Sequence, residues 1–241
     1  MAIHPIRAVL MLCAGLCLAM PAVASTTTRS WVDADGTRWT ETTTVETVDA
    51  DRKSGGADRL VGVAATTAKA AIARFGPFAV LDGGHAALID ATDSASPRQF
   101  AAMMRAFPAI RVLELVDCPG TLDDTANLAL GRMIRARGLA TDVPAGGSVR
   151  SGAVELFLAG THRHAAPDAG FAVHAWADED GRGPGDFPMT APVNRAYLSY
   201  YRAMGMSGDA AAGFYALTNS VPNSSARWLT GSDIARYLAL D

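Results

Sequence analysis

Residues 111–138 read RVLELVDCPGTLDDTANLALGRMIRARG. The opening RVLELVD is a near-continuous apolar run closed by a turn, not an apolar/polar alternation. That is the pattern of a strand buried on both faces, as parallel sheets require. Cys118-Pro119-Gly120 makes the turn. Thr121 stands where a helix N-cap is expected, Asp123 and Asp124 lie where the first-turn dipole favours acids, and Gly138 ends the helix. Strand, turn and helix in this order predict an α/β fold.

The same grammar extends in both directions. Upstream, FAVLDG (78–83) and HAALIDA (85–91) read as short strands. Ser96-Pro97 opens a helix over PRQFAAMMRAF, with proline in its first turn. Downstream, LATDV (139–143) and FAVHAW (171–176) are strands, and SGAVELFLAG (151–160) is a short apolar helix that begins at a serine. DEDGRGPGD (178–186) reads as a flexible loop, and further helices are expected at 190–205 and 208–217. Strands alternating with helices imply right-handed crossovers and a mostly parallel sheet. No internal sequence repeat is found.

The N-terminal third differs in kind. Arg7, the apolar run AVLMLCAGLCLAM and Ala22-Val23-Ala24 before Ser25 form a secretory signal, so residues 1–24 are expected to be removed and the mature chain to be periplasmic. The run is short for a membrane span. Residues 25–57 are rich in Ser and Thr and alternate on both sides of Asp35-Gly36, which predicts a β-hairpin. SGGAD (54–58) reads as a linker and RLVGVAATTAKAAIAR (59–74) as a helix. The division expected is therefore 1–24 signal peptide, 25–77 polar segment with hairpin and helix, and 78–241 catalytic-type α/β domain.

Composition limits the function classes. The 241 residues carry a net charge of −3, with 49% hydrophobic and 19% charged residues. Nothing is basic enough for a nucleic-acid partner. Only two lysines occur, Lys53 and Lys69, and no P-loop motif is present, so neither ATP nor another cofactor is indicated. Once the signal is removed, Cys118 is the one cysteine left, so no internal disulfide is expected. His162-x-His164 with Asp168 is a weak metal pattern that no further His or Cys cluster supports.

Acyl transfer needs a nucleophile, a base and amide donors aimed at the oxyanion. Ser151 at a helix start, His174 on a strand 23 residues later, and Gly120 at a strand-end turn are residue types in an order that could meet this need. Each also has a plainer reading. Serine is a preferred N-cap, histidine can be buried against backbone, and glycine suits any tight turn. Glu155, one turn beyond Ser151, is expected to be an exposed helix carboxylate. Tyr197, Tyr200 and Tyr201 are expected in the core or at an oligomer contact.

Taken together the motifs resemble the Clp protease proteolytic subunit and, more widely, the ClpP/crotonase fold. VDCPGTLDDTANLALGRMI is similar to that family's glycine-turn-plus-helix segment, SGAVELFLAG to its nucleophile helix, and PDAGFAVHAW to its histidine strand. The likeness spans roughly 78–241. It implies a ClpP/crotonase-like parallel sheet with crossover helices, to which the N-terminal hairpin is an addition. It also implies Ser151 as nucleophile, His174 as general base, and the amides of Gly120 and Gly152 as oxyanion hole. Two departures stand out. Thr121 replaces the family's second glycine, and Ala226 stands before Arg227-Trp228-Leu229-Thr230 where the family places the aspartate. Asn223, Asn219 and Ser225 are then the candidates to orient His174, since Asp178 and Asp180 fall in the loop.

The expected function is a periplasmic serine hydrolase, most simply a peptidase. Its partner would be a peptide or small acyl substrate, with no ATPase; the relatives form homo-oligomers, and the sequence leaves open whether this chain is a homo-oligomer. A catalytically inactive binding or scaffold protein on the same fold is the alternative, motivated by Ala226. Thioester chemistry of the crotonase type ranks last, because a secreted chain meets little coenzyme A.

Overall fold

The computed structural model describes residues 24–32, 38–46 and 71–241. The chain divides into two units, Met1–Lys53 and Ser54–Asp241. In the first, β1 (Ala24–Val32) pairs antiparallel with β2 (Arg38–Glu46), from Ala24 with Glu46 to Val32 with Arg38. The threonine-rich strands suit a pleated surface. The Asp35-Gly36 turn, the expected signal peptide and the 54–58 linker lie outside the described residues, as does most of the helix expected at 59–74.

The last part of that expected helix is not helical. Residues Ala73–Phe75 form β3, which pairs antiparallel with β4 (Phe78–Val80) across Gly76-Pro77. The strand places Phe75 against Phe107, with ring centroids 6.1 Å apart. Pairing and packing here override the helical propensity of an alanine-rich stretch.

The expected parallel-stranded α/β fold is present, with the strands of the second unit divided between two sheets. In the six-stranded sheet, β3, β4 and β5 (His85–Leu88) make an antiparallel meander. β5, β6 (Val112–Leu115), β8 (Ala140–Val143) and β10 (Arg163–Ala165) then run parallel. In the four-stranded sheet, β7 (Asp117–Cys118), β9 (Ser148–Arg150) and β11 (Gly170–Val173) are parallel, and β12 (Arg227–Leu229) closes the edge antiparallel to β11. RVLELVD is thus not one strand. It changes sheets at Val116, whose amide donates to the Leu88 carbonyl and whose carbonyl accepts from Ser148. The same passage recurs from β8 to β9 and from β10 to β11. The repeat is structural, with no repeat in the residues.

The helices are α1 (Ser96–Ala106), α2 (Asp124–Ala136), α3 (Ala153–Leu158), α4 (Pro192–Ala203), α5 (Gly208–Thr218) and α6 (Gly231–Ile234). α2 buries Asn127, Leu130, Gly131 and Ile134, one face at helical spacing, and packs against α1, α3 and α4. Its cap is Asp123, whose side chain accepts from the Ala126 amide at 2.9 Å. Thr121, the residue expected there, sits two places early. Its Oγ1 accepts from the Asp123 amide and so stiffens the turn instead. All six residues of α3 are buried among the strands. No helix among the described residues is long and apolar enough to cross a membrane.

Candidate active site

The parallel small sheet assembles the site. β9 lies between β7 and β11, and the register pairs Cys118 with Val149 and Arg150 with Ala172. The strands therefore end side by side. Gly120 follows the end of β7, Ser151 follows β9 in the middle, and His174 follows β11. Ligands of open parallel sheets gather at this carboxyl end. Ser151, Gly152, His174, Glu155 and Asn223 line one cleft of about 350 Å³ there.

Ser151 is held in an uncommon conformation. Its φ is +51°, and it is the single non-glycine residue with positive φ among the described residues. Such a backbone is costly for a side-chain-bearing residue and persists where surrounding contacts enforce it. Here its amide donates to the Ala172 carbonyl at 2.8 Å, and its carbonyl accepts from Val154 at 3.0 Å. The N-cap of α3 is Gly152, and no side chain caps this helix. The plain reading of Ser151 as a capping serine is thereby corrected: its hydroxyl closes no helix turn.

Two glycines bracket the hydroxyl. Gly120 has φ +132°, and a Cβ on it would lie 2.8 Å from Ser151 Cβ and 3.3 Å from its Oγ. A Cβ on Gly152 would lie 2.5 Å from Thr121 Cγ2. The amides of both glycines make no hydrogen bond among the described residues, whereas their carbonyls are firmly held. The Thr92 amide donates to the Gly120 carbonyl at 3.0 Å, and Asn127 Nδ2 donates to the Gly152 carbonyl at 2.6 Å. Thr92 Oγ1 in turn donates to Asn127 Oδ1 at 2.9 Å. These bonds fix the peptide planes that follow the two glycines, whereas the Gly152 amide shares its plane with the Ser151 carbonyl, which accepts from Val154. Thr92 and Asn127 were not found in the sequence. The available signal was Asn127, a polar residue on the apolar face of α2.

Because Gly152 is enclosed, Gly152→Ala is expected to lower stability by about 1–3 kcal/mol. Urea unfolding of the variant measures this, and an unchanged midpoint would show that the turn yields freely.

No carboxylate among the described residues is hydrogen-bonded to His174, although Asp124 stands close enough to interact with it electrostatically. Its Nδ1 lies 2.9 Å from the Ala175 carbonyl oxygen, and Asn223 Nδ2 donates to that same oxygen at 3.1 Å. The 3.3 Å between His174 Nδ1 and Asn223 Nδ2 is the spacing of two donors that share one acceptor. Nδ1 carries the proton in this arrangement, and the Nε2 lone pair is left to act as a base. The segment bearing Asn223 is clipped in place by the Ala175 amide, which donates to the Val221 carbonyl at 2.9 Å. Of the three residues expected to orient His174, Asn223 alone arrives beside it. The Asn219 amide instead donates to the Tyr215 carbonyl, and Ser225 closes a turn onto Pro222. Asp178 pairs with Arg182. No hydrogen bond joins Ser151 to His174.

Glu155 corrects a second expectation. It is 6% exposed rather than a solvated carboxylate. Tyr201 donates to its Oε1 at 2.7 Å, and Tyr200 donates to its backbone carbonyl at 2.6 Å. Burial pushes its carboxyl up to about 7, with the Tyr201 hydrogen bond pulling the other way. Asp124 opens to solvent on one side, but the crowded cleft on the other raises its pKa, and Tyr197 opposes the rise. Tyr197, Tyr200 and Tyr201 are core residues, as expected, yet Tyr197 and Tyr201 also wall the cleft.

The remaining chemistry is structural. Cys118 is fully buried, donates to the Leu88 carbonyl, and has its thiol pushed far up by burial. His162 and His164 pair separately with Asp241 and Asp142. No group of three or more potential metal ligands occurs among the described residues.

No family model matches the chain, and no curated protein matches it. Among solved structures it is similar to a mutant of the 1510-N membrane-bound stomatin-specific protease in complex with a substrate peptide. There the identity is 16% over 64% of this chain and 72% of that one, with a TM-score of 0.43. A variant of ClpP1 from Listeria monocytogenes shares 16% identity over 66% of this chain and 90% of that one, with a TM-score of 0.46. The ClpP protease catalytic domain from Plasmodium falciparum shares 13% identity over 64% and 81% of the two chains, with a TM-score of 0.45.

Proposed function

We propose that this chain is a serine hydrolase of the ClpP-like superfamily, acting on peptides or related acyl compounds in the periplasm. The observation that carries the reading is Ser151. A serine held at φ +51° between a strand and a buried helix, with two unspent glycine amides beside it, has the parts of a nucleophile and an oxyanion hole. In the reaction Ser151 Oγ attacks the carbonyl carbon, His174 Nε2 accepts its proton, and the amides of Gly120 and Gly152 hold the oxyanion. The proton then passes from His174 to the leaving group, and water repeats the cycle on the acyl-serine. The charged imidazole is supported by the Ala175 carbonyl, so a slower enzyme than one with a buried aspartate is expected. The ordered motifs of the sequence support the superfamily, and the N-terminal signal pattern supports the location.

The test is labelling of the folded mature protein with a fluorophosphonate. Labelling of the wild type that is lost in Ser151→Ala and in His174→Ala is the expected result. A folded wild type that stays unlabelled, or a Ser151→Ala variant that labels equally, overturns it. The lack of a carboxylate hydrogen-bonded to His174 among the described residues favours one second reading, a binding protein on the same fold, and that reading predicts no labelling in any variant.

A further inference from the structure

The cleft beside Ser151 holds more acid than acyl transfer needs. Glu155, four residues along α3 from Ser151, is nine-tenths buried and lines the cleft. Its carboxyl accepts from Tyr201 and from its own backbone amide, with no cationic side chain among its partners. Asp124 lines the same cleft from the first turn of α2. The walls between them include Tyr197 and Tyr215, whose rings stack with centroids 5.7 Å apart, and Tyr201, 6.3 Å from Tyr197. No lysine or arginine is among the lining residues. A buried carboxylate without a cationic partner is unfavourable, and a core that needed only packing would be better served by an apolar residue of equal size. Carboxylates with aromatic faces form an environment suited to an ammonium or guanidinium group.

We infer that the cleft is a specificity pocket for a positively charged group, the lysine or arginine side chain of the peptide or acyl-amino acid whose carbonyl Ser151 attacks. Glu155 and Asp124 are the residues that select it. Placing the scissile carbonyl at Ser151 rests on the hydrolase reading, but capture of the cation does not.

Binding to the Ser151→Ala protein separates the two. The probes are Nα-acetyl-arginine methylamide and its citrulline counterpart, which keeps the shape and lacks the charge. Titrations followed by NMR at about pH 8 are expected to show arginine binding roughly 10- to 100-fold tighter, the value of a charged hydrogen-bonded contact. The preference is expected to shrink in Glu155→Gln and in Asp124→Asn, and to vanish in the double variant. Equal binding of the two probes overturns the inference, as does an arginine preference that the double variant retains in full. Fluorophosphonate labelling reads no side chain. A labelled protein with equal probe affinities sinks the pocket alone, and an unlabelled one that prefers arginine sinks the hydrolase reading alone.

Discussion

If the chain is the hydrolase proposed above, replacing His174 with alanine is expected to lower kcat/KM for an activated ester by about 10³- to 10⁴-fold, and replacing Asn223 with alanine to lower it by less than about tenfold. The contrast follows from the hydrogen bonds. The imidazole proton on Nδ1 goes to the Ala175 carbonyl at 2.9 Å, a backbone atom that neither substitution removes. Asn223 donates to the same oxygen at 3.1 Å, as a positioning residue. Without Asn223 the carbonyl still selects the tautomer with a free Nε2. Removing the ring removes the base itself. A loss on Asn223→Ala as large as that on His174→Ala would show that the amide, not the carbonyl, orients the base. The pH profile separates the two roles further. Loss of a positioning group leaves the acid limb of the rate profile in place, whereas loss of the base abolishes it.

The second large effect is on stability. Burial raises the Glu155 carboxyl from an ordinary 4.5 to about 7 in the folded chain. The folded state therefore binds a proton that the unfolded state has released across this interval. Stability is greatest below the unfolded value, falls as pH rises between the two, and is lowest above about 7. Glu155→Gln keeps the shape and an acceptor for Tyr201 but cannot ionise. Its stability relative to the wild type is expected to rise by up to about 3 kcal/mol between about pH 4 and pH 8. Urea denaturation at the two pH values measures this, and a difference that does not change with pH would refute it. The same variant is one of the two in which the preference for a cationic ligand is expected to shrink. A carboxylate that destabilises the empty fold above neutral pH is a reason for a cation to bind there.

Much of the fold was legible because each local signal had a local cause. Pro97 at the start of α1, the apolar face of α2 and the alternation on both sides of Asp35-Gly36 act through neighbours in the chain. So does the short α3, whose residues are all apolar except Glu155. The misreadings have the opposite origin. Nothing within RVLELVD marks Val116 as the point of crossing, because the crossing is made by hydrogen bonds to Leu88 and Ser148, 28 and 32 residues away. Residues 73–75 became a strand through pairing with Val80, Ala79 and Phe78. The cap of α2 moved to Asp123 because Thr121 was engaged with Thr92.

The sequence by itself determined the residue types and their order: a glycine turn, a serine before a buried helix, a histidine after a strand, and no aspartate before Arg227. Order along a chain is enough to name candidates, since strand ends and helix starts are set locally. Only the tertiary structure decided how they meet. Parallel pairing of β7, β9 and β11 puts their ends in a row with Ser151 in the middle, and long-range contacts drive the serine to a positive φ that its own side chain disfavours. Tertiary packing also turned Glu155 from an expected surface charge into a buried carboxyl. A helical residue's exposure depends on what packs over it, and here Tyr200 and Tyr201 arrive from 45 and 46 residues away.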